Sequence, residues 1–280
     1  MKQGDIVVRL SYGEDIRFRI ETIRGNQAIL RGLEVRLLAD APLADLVPAP
    51  VTDEENSRGW NEIIEAKIAL LAQDVERMLE QTRGSAAQSR TYEDVFDLPG
   101  KVLHLDGDVN YMRKCMEVYG KLKIPAVGHY FPETQMAEAL QHLLPEIRPD
   151  IVVITGHDGL YKNHVSKQDL ASYKNSHHFV QAVQTVRAYE RNRDVMTVIA
   201  GACQSHFEAL LQAGANFASS PGRILIHALD PVQVAVKAAY TSIRDTVRIT
   251  EVLAGTQSGL KGMGGYETRG SFRLGSPKVN

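Results

Sequence analysis

Apolar positions recur along this chain at two spacings, and the change between them divides it. Over residues 1–50 they alternate as in short strands. Ile6, Val8 and Leu10 share one face, and Ile16, Phe18 and Ile20 share another. Gly13 and Arg24-Gly25-Asn26 supply the turns. Several short strands in so few residues predict either a small SH3-like β-barrel domain or a β-rich extension packed on the main domain. Pro42, Pro48 and Pro50 close the unit. Residues 51–100 form a helical linker region. From Trp60 to Gln81 the stripe Trp60, Ile64, Ile68, Leu71, Val75 and Met78 has a three-to-four spacing. Thr82 to Arg90, TRGSAAQSR, is small, polar and breaker-rich, and reads as an exposed linker.

From residue 101 to 280 strand and helix patterns alternate. KVLHLDGD, IPAVGHYF, DIVVITGHDG, DVMTVIAGAC and RILIHALD read as five strands. The continuous apolar runs suit strands buried on both faces. Between them lie helices at 110–122, after Pro132, from a Ser176 cap, over Phe207, Leu210 and Leu211 to Gly214, and from a cap at Asp230 before Pro231. The alternation predicts an α/β domain with a parallel, Rossmann-like sheet covered by helices on both faces. The glycine-rich tail from Gly255 reads as a surface loop.

Composition narrows the class. The chain has 280 residues, 44% hydrophobic and 24% charged, with a net charge of −2. Such balance suits a globular protein and offers no global basic field for nucleic acid. The start has no continuous apolar core, and the apolar runs are too short to span a membrane. Two cysteines in unlike contexts make no disulfide framework, so an intracellular location is expected.

In open parallel sheets ligands bind beyond the carboxyl ends of the strands. The third strand ends in Gly156-His157-Asp158-Gly159 and the fourth in Gly201-Ala202-Cys203-Gln204. If these strands are neighbours, about 4.8 Å apart, His157 and Cys203 overhang one edge. A thiol at the start of a helix feels the dipole and is biased to thiolate, and the imidazole can take its proton and return it to a leaving amine. The backbone N–H groups of Cys203 and Asp158 are candidate oxyanion donors. A lone cysteine is ordinarily a small buried hydrophobe, which is the reading for Cys115 in mid-helix. With His157 and Cys203 at equivalent strand ends, a cysteine endopeptidase is the favoured reading. The alternative is a non-catalytic Rossmann-like binding or scaffold protein that uses Asp106-Gly107-Asp108 to hold a ligand. His177, His178 and His206 fit no common zinc spacing, so no metal or other cofactor is expected. His129 reads as a packing residue, Asp230 as a helix cap, and the Arg31–Arg36 region as a solvated face. No motif speaks to oligomeric state.

An apolar strand ending in His followed by one ending in Ala-Cys, here IVVITGHDG and MTVIAGACQS, resembles the caspase-like cysteine peptidases: caspases, legumain, clostripain and gingipain. Those relatives place Gly directly after His, whereas Asp158 intervenes here. The blocks GDIVVRLSYG, VLHLDGD, ITGHDG and GACQSHFEA together resemble the YabG family of sporulation-specific proteases over nearly the whole chain. That resemblance implies protein substrates, spore coat and related proteins, cleaved after Arg in the mother cell beside the forming coat. An Arg pocket needs a carboxylate, and Asp106 and Asp108 are the expected substrate-binding pair. Self-cleavage is expected at Arg83 and Arg90, with Arg187 and Arg191 spared as helical.

Overall fold

The computed structural model describes residues 1–49, 53–87, 96–162 and 166–275. It is a mixed α/β structure with one antiparallel sheet and one largely parallel sheet.

The N-terminal alternation becomes β1 (Ile6–Arg9), β2 (Phe18–Arg24), β3 (Gln27–Gly32), β4 (Leu38–Pro42) and β5 (Leu46–Pro48). They form an antiparallel sheet in the order β4-β3-β2-β1-β5 around Val7, Phe18, Ile20, Ala28 and Leu30. Leu10 leaves the strand pattern for a 3-10 turn and is exposed.

Helix α1 (Asp53–Ala87) is longer than its stripe predicts. Ile64, Ile68, Leu71 and Val75 are buried, and Met78 packs beside them. The side chain of Trp60 lies outside the described residues. Thr82 to Ala87 are helical rather than a linker. Nothing there breaks the ladder, Thr82 Oγ1 donates to the Met78 carbonyl at 3.0 Å, and Arg83 pairs with Asp97. Arg90 and the rest of TRGSAAQSR lie outside the described residues.

The chain continues through β6 (Phe96–Leu98), β7 (Val102–Asp106), α2 (Val109–Lys121), β8 (Ala126–Tyr130), α3 (Met136–Ile147), β9 (Ile151–Thr155), α4 (Ser176–Tyr189), β10 (Thr197–Ala200), α5 (Phe207–Ala213), β11 (Phe217–Ser219) and α6 (Asp230–Tyr240). Then come β12 (Thr246–Val247), α7 (Ile249–Ala254), α8 (Gly259–Gly262), β13 (Met263–Gly265), β14 (Thr268–Arg269) and β15 (Arg273–Gly275). The central sheet has the order β13-β11-β10-β9-β7-β8, with β12–β14 and β15–β6 as small antiparallel pairs. Strands β7 to β11 are parallel and β13 is antiparallel. Period-two alternation sends Val102, Ile151, Val153 and Ile199 to the face covered by α1, α2, α6 and α7. Leu103, Leu105, Val152 and Ile154 face α3, α4 and α5. Chain order reverses between β7 and β9, which makes that carboxyl edge a switch-point crevice.

Four expectations change. RILIHALD is not a strand. The chain turns at Ser220 and Arg223, both with positive φ (64° and 55°), and crosses the carboxyl edge instead. The fifth parallel strand is the short Phe217–Ser219. The glycine-rich tail is no mere surface loop, since its Met263–Gly265 segment pairs with Phe217–Ser219. A Cβ on Gly265 would lie 2.1 Å from the Asn216 carbonyl oxygen, so this close pairing requires glycine. Asn175, not Ser176, precedes α4, and Asp230 is the first residue of α6 rather than its cap. No described helix is long and apolar enough to cross a membrane.

Candidate functional site

The register Ile154↔Ala200 between β9 and β10 puts His157 and Cys203 each three residues beyond the same rung. Both are fully buried. No hydrogen bond joins the two side chains, because each has partners elsewhere. Arg31 Nη1 donates to His157 Nδ1 at 2.9 Å; an arginine has no acceptor, so the ring proton is on Nε2, which donates to the Gly32 carbonyl at 3.2 Å. Burial, then the charges of Arg31 and Arg36, holds the imidazole well below its ordinary value, hence neutral. The His157 N–H donates to Glu133 Oε1 at 2.8 Å. Glu133 is itself wedged between the β7 and β9 turns. A Cβ on Gly107 or Gly156 would lie 2.2 or 2.6 Å from that same oxygen, which accounts for glycine in both LDGD and ITGHDG.

Cys203 lies in the turn after β10, ahead of α5, which begins at Phe207 behind a His206 cap. It is therefore not at a helix N-terminus, and the expected dipole bias toward thiolate is missing. Burial pushes its thiol up to about 12, against the opposing N–H of Ile226, which donates to Sγ at 3.3 Å.

Asp158 ties the two loops together. Its Oδ1 accepts from the Gly159 and Asn175 N–H groups at 2.8 Å each. Its Oδ2 accepts from Ser176 Oγ at 2.5 Å and Ser205 Oγ at 2.9 Å, and Ser205 Oγ accepts from the Ala202 N–H. The residue that departs from the caspase-like pattern thus fixes the His157 turn to the Cys203 turn.

The backbone N–H groups of Asp158 and Cys203 converge. Both donate, at 3.2 Å, to one oxygen, the carbonyl of Arg36. The Arg36 side chain runs on into the crevice and is fully buried. Its Nη1 donates to Asp106 Oδ1 at 2.9 Å and its Nη2 meets Asp106 Oδ2 at 2.8 Å, a bidentate pair. Nε and Nη2 donate to the Ala228 carbonyl at 3.3 and 3.2 Å, and the guanidinium lies 4.7 Å from the Tyr111 ring centre. Burial alone would raise the Asp106 carboxyl, but the Arg36 charge and hydrogen bonds outweigh it and hold the group far below the carboxylate range. His104, Asp106 and Cys115 carry donor atoms within 4.8 Å of one another, a spacing compatible with a metal, but Arg36 fills that position as the cation.

Asp108 does not share this role. It caps α2, accepting from the N–H groups of Asn110 and Tyr111 at 2.8 and 3.1 Å. Asp230 accepts from the N–H groups of Gln257 and Ser258. Cys115 is buried in the core, as expected, with its sulfur 3.8 Å from Arg36 Nη2. His129 stacks obliquely on Phe131. The Arg31–Arg36 region is not a solvated face: Arg31 holds His157 and Arg36 fills the crevice. Sequence reasoning missed Arg31, Arg36, Tyr111 and Glu133. A signal existed for Arg36, which stands between Val35 and Leu37-Leu38, an apolar setting at odds with a solvated charge.

The sequence model of the YabG peptidase U57 family matches residues 2–277. The sporulation-specific protease YabG of Bacillus subtilis (strain 168) is 45% identical over 282 residues, covering 98% of this chain and 97% of that protein. With nearly its whole length matched on both counts, the chain belongs to the YabG peptidase family.

Proposed function

We propose that this chain is a cysteine endopeptidase of caspase-like type that acts in sporulation, cleaving spore coat and related proteins after Arg in the mother cell. The observation that carries the reading is the pair of N–H groups, from Asp158 and Cys203, aimed at one carbonyl oxygen beside the Cys203 thiol, with His157 at the same level one strand away. Such convergence is what a tetrahedral oxyanion requires. Membership of a peptidase family supports the reaction class, and the relative's name supports the sporulation setting.

Cys203 is the nucleophile. Its sulfur attacks the substrate carbonyl carbon as His157 takes the thiol proton. The oxyanion is held by the Asp158 and Cys203 N–H groups. As the C–N bond breaks, the imidazolium gives its proton to the leaving amine. Water, deprotonated by His157, then attacks the thioester and releases the new carboxyl group and the thiol. Asp106 is the carboxylate of the specificity pocket, a bidentate partner for a substrate guanidinium. Residues 1–50 are a small domain that presents substrates to the 101–280 peptidase domain, to which residues 51–100 link it. Self-cleavage belongs to the same activity. Arg83, being helical, is a poor site, and Arg191 lies past the end of α4 rather than in it, so helix does not protect it.

The test uses a coat-protein substrate. Cys203→Ala is expected to abolish cleavage with the fold intact. His157→Ala is expected to lower the rate by a factor on the order of 10²–10⁴. Cys115→Ala is expected to retain activity. A scaffold protein that only binds would cleave nothing even when fresh and reduced, and a Cys203→Ala protein that still cut would end the assignment.

A further inference from the structure

The segment on the N–H pair of Asp158 and Cys203 is the chain's own, and its contacts extend to either side of Arg36. Val35 bridges His227 antiparallel, and Leu37 bridges Asp158 in parallel. The Leu38 N–H donates to the Asp158 carbonyl at 2.7 Å. Gly159 makes that approach possible, since a Cβ there would lie 2.3 Å from the Leu38 carbonyl oxygen. Residues 35–38 therefore run, through isolated bridges at Val35 and Leu37 and into the start of β4, between the His157 turn and the segment that carries Ile226 and Ala228. Short peptides are commonly held this way, by main-chain pairing for affinity and side-chain pockets for specificity.

We propose that this groove is the peptide-binding site of the protein and that residues 35–38 are its built-in occupant, seated as an arginine substrate would be. The assignment rests on the proposed peptidase reading and names the ligand that this site takes: an extended peptide whose arginine enters the Asp106 pocket and is followed by an aliphatic residue, as in Val35-Arg36-Leu37-Leu38. Three independent contacts support it. The guanidinium has its bidentate carboxylate in a buried pocket, the arginine carbonyl oxygen has two N–H donors, and the flanking backbone is paired on both sides. Any buried arginine needs its backbone paired, but that need alone does not bring two N–H groups, from the His157 and Cys203 turns, onto its carbonyl oxygen. While the segment is seated it covers Cys203, and the preceding residues Arg31 and Gly32 engage both ring nitrogens of His157. A substrate thus enters by exchange with the occupant, and its apparent affinity is lowered by the fraction of molecules in which the groove is vacated.

The experiment separates binding from cleavage. A fluorescent peptide of sequence Leu-Glu-Val-Arg-Leu-Leu is titrated by anisotropy into Cys203→Ala protein and into Cys203→Ala/Arg36→Ala protein. Loss of the occupant's side chain is expected to tighten binding by roughly tenfold or more, by raising the vacated fraction. A peptide with Gln in place of Arg is expected to lose the gain. If Arg36→Ala fails to fold, Cys203→Ala/Leu38→Pro keeps the Arg36–Asp106 pair, removes the N–H that pairs with Asp158, and is expected to tighten binding in the same direction. Equal affinity in every folded variant, or equal binding of the Gln peptide, overturns the proposal. A wild-type fragment beginning at Leu37, absent from Cys203→Ala protein, supports it. The titrations need no turnover. Peptide exchange without any wild-type cleavage would defeat the peptidase reading and leave the groove, whereas cleavage without exchange would do the reverse.

Discussion

At the scale of single residues, Arg36 and Asp106 are the tightest electrostatic pair in the crevice, both fully buried. Removing one charge from such a pair leaves the other uncompensated, so Asp106→Asn is expected to destabilise the fold by about 3–5 kcal/mol in urea unfolding. The double change Arg36→Leu/Asp106→Leu is expected to recover most of that loss, since no charge is left buried; equal loss in both proteins would mean that the pair is not coupled. His157 sets a pH dependence of its own. Burial, Arg31 and Arg36 hold its folded value well below the usual 6.5, while the unfolded chain keeps the ordinary one. As pH falls through 6.5 the unfolded state takes up a proton that the folded state refuses, so stability is lost toward acid, by up to about 1.4 kcal/mol per pH unit from this group. Unfolding midpoints at pH 8 and pH 5.5 are expected to differ less in His157→Gln protein, whose amide can still meet Arg31 and Gly32. Parallel shifts in the two proteins would contradict that. His157 and Cys203 were legible in the sequence because each ends an apolar strand run, which fixes its edge. Arg36 was not, because it lies in the connection between β3 and β4, far along the chain from the residues that bury it, and no local pattern states that they meet.

Among the elements, the contrast between two glycines tests how the sheet is finished. Gly265 in β13 lies against backbone, whereas Gly84 in α1 has open space where a Cβ would go. Gly265→Ala is expected to cost about 1–3 kcal/mol, as overpacking does, and to weaken the β11–β13 edge. Gly84→Ala is expected to stabilise by about 0.5–1 kcal/mol through helix propensity. Thermal or urea unfolding of the two variants should move in opposite directions. The same contrast explains which elements could be read. The long runs at β7, β9 and β10 carry their own assignment. RILIHALD has a strand's composition, yet its Ile226 and Ala228 are buried against Cys203 and Arg36 rather than in a ladder. β11 has three residues and β13 is built on two glycines, so neither has the length or the side chains that make a strand visible.

For the whole molecule, the sheet order places the crevice between β7 and β9, and the antiparallel N-terminal sheet sits over it. Alternation separated short N-terminal strands from a parallel sheet, but not their docking, which depends on Arg31, Arg36 and the backbone of residues 35–38. That docking has a consequence in time. Synthesis runs from the N-terminus, and early segments can fold before later ones have emerged. Residues 35–38 leave the ribosome before His157, and His157 before Cys203. The β13 edge follows last of these. By the time the crevice exists, the segment that fills it has long been made, so a nascent chain closes that carboxyl edge around its own arginine and need never display an empty one to its neighbours.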